Sequence, residues 1–237
     1  MSRAEAARRR GAEISVIVPV VDEASTIDRL LDSLCVDPEI REVIVVDGGS
    51  SDATVSRVRA RTTPATVIES DAGRALQMNR GARAATGRVL LFLHADTRLP
   101  WGAGAAVMAA TRGGARGGNF AIRFDGGGAF SLLLGLVYRV QNALGVFYGD
   151  SAIWVRREVF DEMGGYRPLP IMEDYDFARR LRLGGGVRRL PSPVVTSSRR
   201  WKRLGILRTV ATWVAIRYLF LLGVSAERLA GLYRNAR

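Results

Sequence analysis

The sequence predicts an α/β protein, built as a doubly wound, mainly parallel sheet with helices on both faces. Three observations predict it. Apolar runs of strand length alternate with helical stretches through the first half of the chain. With 237 residues, 48% of them hydrophobic, the chain can fill the core of one large domain. Carboxylates and glycines gather where the apolar runs stop, the edge at which open α/β sheets bind ligands.

The elements follow in order. Ile14–Val20 is an unbroken apolar strand. Residues 25–35 make a helix opened by Ser25, with Asp28 three residues on as a capping-box partner. Residues 42–46 are the second strand, 52–61 the second helix and 66–69 the third strand. A helix over 74–85 is closed by Gly87. Residues 89–94, VLLFLH, form a buried strand that ends two residues before Asp96. The second half is less regular. Strands are expected at 119–124, 152–155 and 187–190. Helices are expected at 130–144, 157–163, 174–183, 206–222 and 226–234. Gly113 to Gly118 reads as a mobile loop. No linker divides the chain, so residues 1–237 are expected to form one domain, with 202–237 as a C-terminal helical extension.

Composition removes several function classes. Cys35 is the only cysteine and His94 the only histidine. An internal disulfide, a cysteine metal site, a histidine-rich zinc site and a Ser-His-Asp triad built away from His94 are therefore excluded. Cysteine usage fits a cytoplasmic setting. The net charge of +12 favours anionic partners. No basic tract is interleaved with aromatics as single-strand binders require, so no nucleic-acid partner is expected. The opening MSRAEAARRRGAE is charged and has no apolar core, unlike a secretory signal. Residues 129–137 are too short to span a bilayer, and 204–224 are interrupted by Arg208 and Arg217.

The strand ends carry the chemistry. Strand one runs into Pro19-Val20-Val21-Asp22-Glu23. Strand two ends in Asp47-Gly48-Gly49-Ser50-Ser51-Asp52. Strand three leads to Asp71-Ala72-Gly73-Arg74, and strand four to Asp96. Gly48 and Gly49 permit close backbone approach to a ligand. Asp47 can accept hydrogen bonds from a base or ribose. Arg74 and Asn79 lie near a helix start, which favours phosphate. A carboxylate such as Asp96 can hold a divalent cation on a diphosphate; as an ordinary feature it would start a turn or cap the helix after Pro100. The chain lacks the G-x-G-x-x-G of dinucleotide folds and the P-loop. It also lacks the Gly-rich, basic loop that sugar-nucleotide-synthesising enzymes place after strand one.

In order, PVVDEASTIDRLLDSL, VIVVDGGSSDAT, GRALQMNRGARAATG, LLFLHADTRLP and GGYRPLPIMEDYDFARRLRLGG resemble a family 2 glycosyltransferase with a GT-A fold. The likeness runs from about Ile14 to Trp201. GRALQMN, LHADT and MEDYDFARRL further resemble a bacterial subgroup named for arsenosugar biosynthesis or for association with radical-SAM and selenium-related genes. Related sequences carry carotenoid-type labels.

The resemblance implies a site. The backbone of Pro19, Val20 and Val21, with Glu23, Asp47 and Gly48, matches the part that holds the nucleotide. Arg74, Asn79, His94 and Ala95 join it on the donor side. Asp96 matches the last residue of the D-x-D motif, which binds Mg²⁺ or Mn²⁺. His94 stands where the first Asp of that motif usually is, and a downstream metal-binding histidine is missing. Asp174 matches the catalytic base. Its neighbour Glu173, with Gly149 and Asp150, falls on the acceptor side; Trp201, in a basic-aromatic cluster after the last strand, is open to binding the acceptor or the diphosphate or to lying on the surface. Glu173-Asp174 also suits a plain helix N-terminus. The implied reaction is an inverting, metal-dependent transfer from a nucleoside-diphosphate sugar, UDP favoured, to a hydroxyl on a small molecule or lipid. A sugar-nucleotide-binding protein without turnover and a nucleotidyltransferase are the alternatives. For the apolar tail from Trp201 to Leu222 three arrangements are open. Packing on the domain or pairing in a homodimer is favoured over peripheral contact with an anionic membrane.

Overall fold

The structure is a computed structural model and describes residues 13–61, 65–125, 128–143, 145–197 and 206–235. In chain order these form β1 (Ile14–Val20), α1 (Ile27–Cys35), β2 (Ile40–Asp47), α2 (Thr54–Arg59), β3 (Ala65–Glu69), α3 (Arg74–Ala84), β4 (Val89–Phe92), β5 (Thr97–Arg98), α4 (Ala103–Arg112) and β6 (Gly117–Phe124). There follow α5 (Gly128–Ala143), a 3₁₀ turn at Gly149–Ser151, β7 (Ile153–Arg156), α6 (Arg157–Glu162), α7 (Glu173–Leu183), β8 (Val187–Thr196), α8 (Ile206–Leu221) and α9 (Ala226–Asn235).

The strands make one sheet in the order β3-β2-β1-β4-β7-β6-β8-β5. The first four are parallel, as the alternation of strands and helices requires. β7 enters antiparallel between β4 and β6, and β8 runs parallel to β6. Every residue of β1 is buried, because helices cover both faces. Val16 and Val18 point into one core layer with Ile27, Leu30, Leu31 and Leu34 of α1. Ile17 points into the other, with Met78 of α3 and Phe177 of α7, as the two-residue period of a strand dictates.

Three expectations are corrected. The Ser25/Asp28 capping box does not form. The helix begins at Ile27 with no side-chain cap, and Asp28 instead pairs with Arg57 at 2.6 Å and Arg61 at 3.1 Å. Gly117 and Gly118 belong to β6, not to a loop. A Cβ on Gly118 would stand 1.8 Å from the Arg188 carbonyl oxygen, and one on Gly117 2.8 Å from that of Trp154, so glycine is what lets these strands meet. β8 continues past residue 190 to Thr196. Its register with β6 jumps from Leu190↔Phe120 to Pro193↔Ala121, so Pro191 sits in a bulge, where a residue without an N–H is tolerated.

Gly118→Ala is expected to cost about 3 kcal/mol, because the clash is with backbone inside a sheet. Gly113→Ala, whose Cβ meets nothing closer than 3.4 Å, is expected to change little. Urea denaturation of the two variants checks this.

Candidate active site

The loops after β1 and β2 are tied into one unit. Asp22 accepts the Ser51 N–H at 2.7 Å and the Asp52 N–H at 3.2 Å. Its own N–H donates to Ser50 Oγ at 3.0 Å. The Glu23 N–H donates to Thr54 Oγ1 at 2.8 Å, and the Ala24 N–H to Asp52 at 3.0 Å. Asp47 is buried and receives the N–H groups of Gly49 and Ser50 at 3.1–3.2 Å. Asp22 and Asp52 therefore satisfy backbone donors of the facing loop, and Asp47 those of its own turn.

Gln77, which motif reading passed over, locks the same two strands. Its Nε2 donates to the carbonyls of Val20 at 2.9 Å and Val46 at 2.8 Å, and a Cβ on Gly48 would touch its amide at 2.9 Å. The signal was present as a lone amide on the buried face of α3. Asn79 is committed elsewhere. Its side chain donates to the Tyr166 carbonyl at 2.7 Å and accepts the Tyr166 N–H at 2.9 Å, pinning the turn at Gly164-Gly165.

A cavity opens at the carboxyl end of β4, between the sheet, α5, α7 and α8. Arg74, His94, Asp96, Asp150 and Asp174 all line it. These five expected site residues come from four separate segments, His94 and Asp96 sharing the loop after β4. Pro19, Val20 and Ala95 are buried beneath this edge, Val21 is exposed above it and Glu23 is half-buried. Trp201 lies outside the described residues.

Asp174 is held by two backbone donors, the Gly149 N–H on Oδ2 at 2.9 Å and the Tyr175 N–H on Oδ1 at 2.7 Å. A Cβ on Gly149 would crowd His94 Nε2 at 3.0 Å and Asp174 Oδ2 at 3.2 Å, so a glycine there brings the histidine and the carboxylate to one point. Asp150 accepts the Tyr138 phenol at 2.8 Å. Burial, then Asp150, raises that phenol well above its ordinary pKa. Asp22, Ala152 and Met172 are the non-glycine residues with positive φ among those described. Each adjoins a site loop, and Met172 immediately precedes Glu173. Strain of this kind gathers where a side chain must be aimed.

Glu173 is only 2% exposed, and Arg74 Nε approaches its Oε1 at 2.7 Å. Burial pushes its carboxyl up to about 7, Arg74 opposes this, and the charge of Asp174 adds to it. Across the ion pair, burial lowers the Arg74 pKa while Glu173 and Asp174 outweigh it, so the guanidinium stays charged. An ordinary glutamate ionises near 4.5. Between that pH and about 7 the folded chain binds the extra proton, so folding stability falls as pH rises through this window. Glu173→Gln is expected to remove that slope, worth a few kcal/mol. Chemical denaturation from pH 5 to pH 8 checks it.

The far wall was not legible as part of the site. Val210, Trp213, Val214 and Arg217 of α8 face the cavity, spaced as one helical stripe. Arg217 bonds the Tyr148 phenol, whose pKa burial lifts to about 12 against the pull of that guanidinium. α8 and α9 dock through Ile216, Ala226 and Leu229 onto Ile171, Met172 and Tyr175. An arginine inside an apolar helical stripe was the available signal.

Asp96 is half-buried at the end of β4 and has no hydrogen bond or ion pair among the described residues. No cluster of three or more histidine, cysteine or acidic residues suited to a metal occurs among them either. One carboxylate facing a cavity fits a hard divalent cation that takes most of its ligands from water or a bound anion. No helix among the described residues is long and apolar enough to cross a membrane.

The family Glycosyl transferase family 2 matches residues 15–126, which carry β1 to β6 and Asp96. A PGL/p-HBAD biosynthesis glycosyltransferase of Mycobacterium bovis (strain BCG / Pasteur 1173P2) is 32% identical over 181 residues, covering 69% of this chain and 67% of the relative. Two solved structures share the fold. S. aureus TarS 1-349 in complex with UDP-GlcNAc superposes with a TM-score of 0.64 at 19% identity, over 78% of this chain and 58% of that one. Mannosyltransferase PcManGT from Pyrobaculum calidifontis, in complex with GDP-Man and Mn²⁺, gives 0.60 at 24%, over 87% and 64%. The sheet order, the strand-end loops and the matched segment agree, and the chain belongs to glycosyl transferase family 2.

Proposed function

We propose that the chain is an inverting glycosyltransferase that moves a sugar from a nucleoside-diphosphate sugar, UDP favoured, to a hydroxyl acceptor. The observation that carries this reading is Asp174, fixed by two backbone N–H groups in the same cavity as Arg74 and Asp96. The sugar-nucleotide complexes of TarS and PcManGT support a donor of this class. GRALQMN, LHADT and MEDYDFARRL support placing the chain in the arsenosugar-named subgroup.

In this reading the tied loops after β1 and β2 shape the nucleotide's seat, with Asp47 and Gly48 at its floor. Arg74 stays charged and faces the diphosphate. Asp96 would hold a Mg²⁺ or Mn²⁺ ion, which when bound supplies Lewis-acid stabilisation to the departing diphosphate. The acceptor oxygen attacks the anomeric carbon as the bond from that carbon to the diphosphate oxygen breaks. The bonding pair leaves with the nucleoside diphosphate, and the acceptor proton passes to Asp174. Each Asp174 oxygen accepts one N–H and keeps a lone pair for that proton. Tyr138, Asp150 and Gly149 border the acceptor side.

Thermal shift and diphosphate release with UDP- and GDP-sugars, with Mn²⁺ and with EDTA, test this. A ligand at a hundredfold its Kd stabilises the fold by about 2.7 kcal/mol. The expected result is a shift with a UDP-sugar and Mn²⁺ that EDTA abolishes. A larger shift with GDP-sugars, or one indifferent to EDTA, overturns the UDP or the metal part.

A further inference from the structure

Two helices flank the cavity and share an unusual composition. α5 and α8 each have 16 residues and no acidic residue. Their charged residues are Arg139 in the first, and Arg208 and Arg217 in the second. Each turns one stripe inward: Val137, Tyr138 and Gln141 from α5, and Val210, Trp213, Val214 and Arg217 from α8.

Each also leaves apolar side chains in solvent. On α5 these are Leu132, 77% exposed, with Leu133, Leu136 and Val140. On α8 and just beyond they are Tyr218, Leu221 and Leu222, the last 80% exposed. Isolated exposed leucines are ordinary, but contiguous stripes mark an interaction surface. Helical spacing joins these residues to the cavity's rim. Leu133 and Val140 neighbour Val137 at four residues before and three after, and Tyr218 follows Val214 by four.

We propose that the outer faces of α5 and α8 dock on an anionic bilayer, setting the cavity's rim beside the lipid surface. Charge selects this occupant. The chain carries +12 overall, and exposed Arg139 lies among the α5 leucines with no acid on its helix. Apolar residues beside an exposed arginine, without carboxylates, suit an interface rich in anionic headgroups. A second copy fits worse, because a two-fold contact would set the same acid-free face against itself. The helices would lie on the bilayer. Sixteen residues span about 24 Å, short of a hydrocarbon core of about 30 Å. The docking rests on the surface of these helices and does not depend on the glycosyl-transfer reading above.

The test is co-sedimentation of the full chain with phosphatidylcholine vesicles and with vesicles containing phosphatidylglycerol, at low and high salt. The double variant Leu132→Asp/Leu136→Asp is run beside it, with melting temperature, oligomeric state and UDP affinity measured for both. The expected result is salt-sensitive binding to the anionic vesicles, roughly tenfold or more weaker in the variant, with melting and UDP affinity unchanged. No binding, equal binding to neutral vesicles, or binding that the variant retains overturns the proposal. So does a dimer that the variant dissociates, which would make a second copy the occupant. Failure to bind UDP would sink the donor reading alone and leave the vesicle result standing.

Discussion

Replacing Asp174 by Asn is expected to lower turnover by roughly 10² to 10⁴, the contribution of a positioned general base, with donor affinity nearly unchanged. Asn keeps the shape but cannot take the acceptor's proton, so the loss falls on kcat. The structure adds a control. The carboxylate accepts the N–H of Gly149 on one oxygen and that of Tyr175 on the other. An amide has one acceptor atom, so one of these donors loses its partner at a cost of about 1–3 kcal/mol. The variant is therefore assayed well below its own melting temperature, with UDP titration as the check on the donor site. Glu173→Gln serves as comparison. Glu173 is nearly sealed from solvent behind Arg74, so its amide variant is expected to retain far more turnover than Asp174→Asn. If the two lose activity in the reverse order, Glu173 is the base.

The parallel half of the sheet was legible because β1, β2 and β4 carry apolar runs and β1, β2 and β3 are each followed by a helix. The antiparallel half was less so. β5 is two residues long and carries no periodic signal. β8 was cut short because Pro191 and Pro193 break a strand pattern, and only pairing with β6 shows that the chain bulges and continues. Gly117 and Gly118 read as loop because a glycine's role in close strand approach depends on the neighbour, here Arg188 and Trp154. Within the site, the chemistry of strand ends and helix starts pointed to Asp96 and Arg74, and the family resemblance to His94, Asp150 and Asp174; all five line one cavity. Type alone did not say which polar residues serve the fold. Asn79 and Gln77 are two positions apart on α3. One ties down Tyr166, and the other clamps β1 to β2. Trp213 and Arg217 stand far along the chain from every strand end. Only the docking of α8 through Ile216 brings them to Asp174's cavity.

Replacing Asp96 by Ala is expected to abolish the gain in UDP affinity that Mn²⁺ provides, leaving affinity in Mn²⁺ at the level that the wild type shows in EDTA. Nothing in the fold should resist the change. Asp96 has no hydrogen bond or ion pair among the described residues, so stability is expected to hold within about 0.5 kcal/mol. That separates it from Asp174, whose carboxylate is built into the backbone of two loops. Coupling between two ligands is reciprocal. If Mn²⁺ tightens UDP by some factor, UDP tightens Mn²⁺ by the same factor, and the Ala variant must lose both together. Titrating UDP at fixed Mn²⁺ and Mn²⁺ at fixed UDP gives two measurements of one quantity. Asp96→Asn refines the result, since it keeps the volume and removes the charge. It is expected to behave like Ala, because a hard cation that keeps its waters is held by carboxylate charge. Should both variants preserve the Mn²⁺ effect, the cation is held elsewhere in the cavity, and Asp150 and His94 are the next side chains to replace.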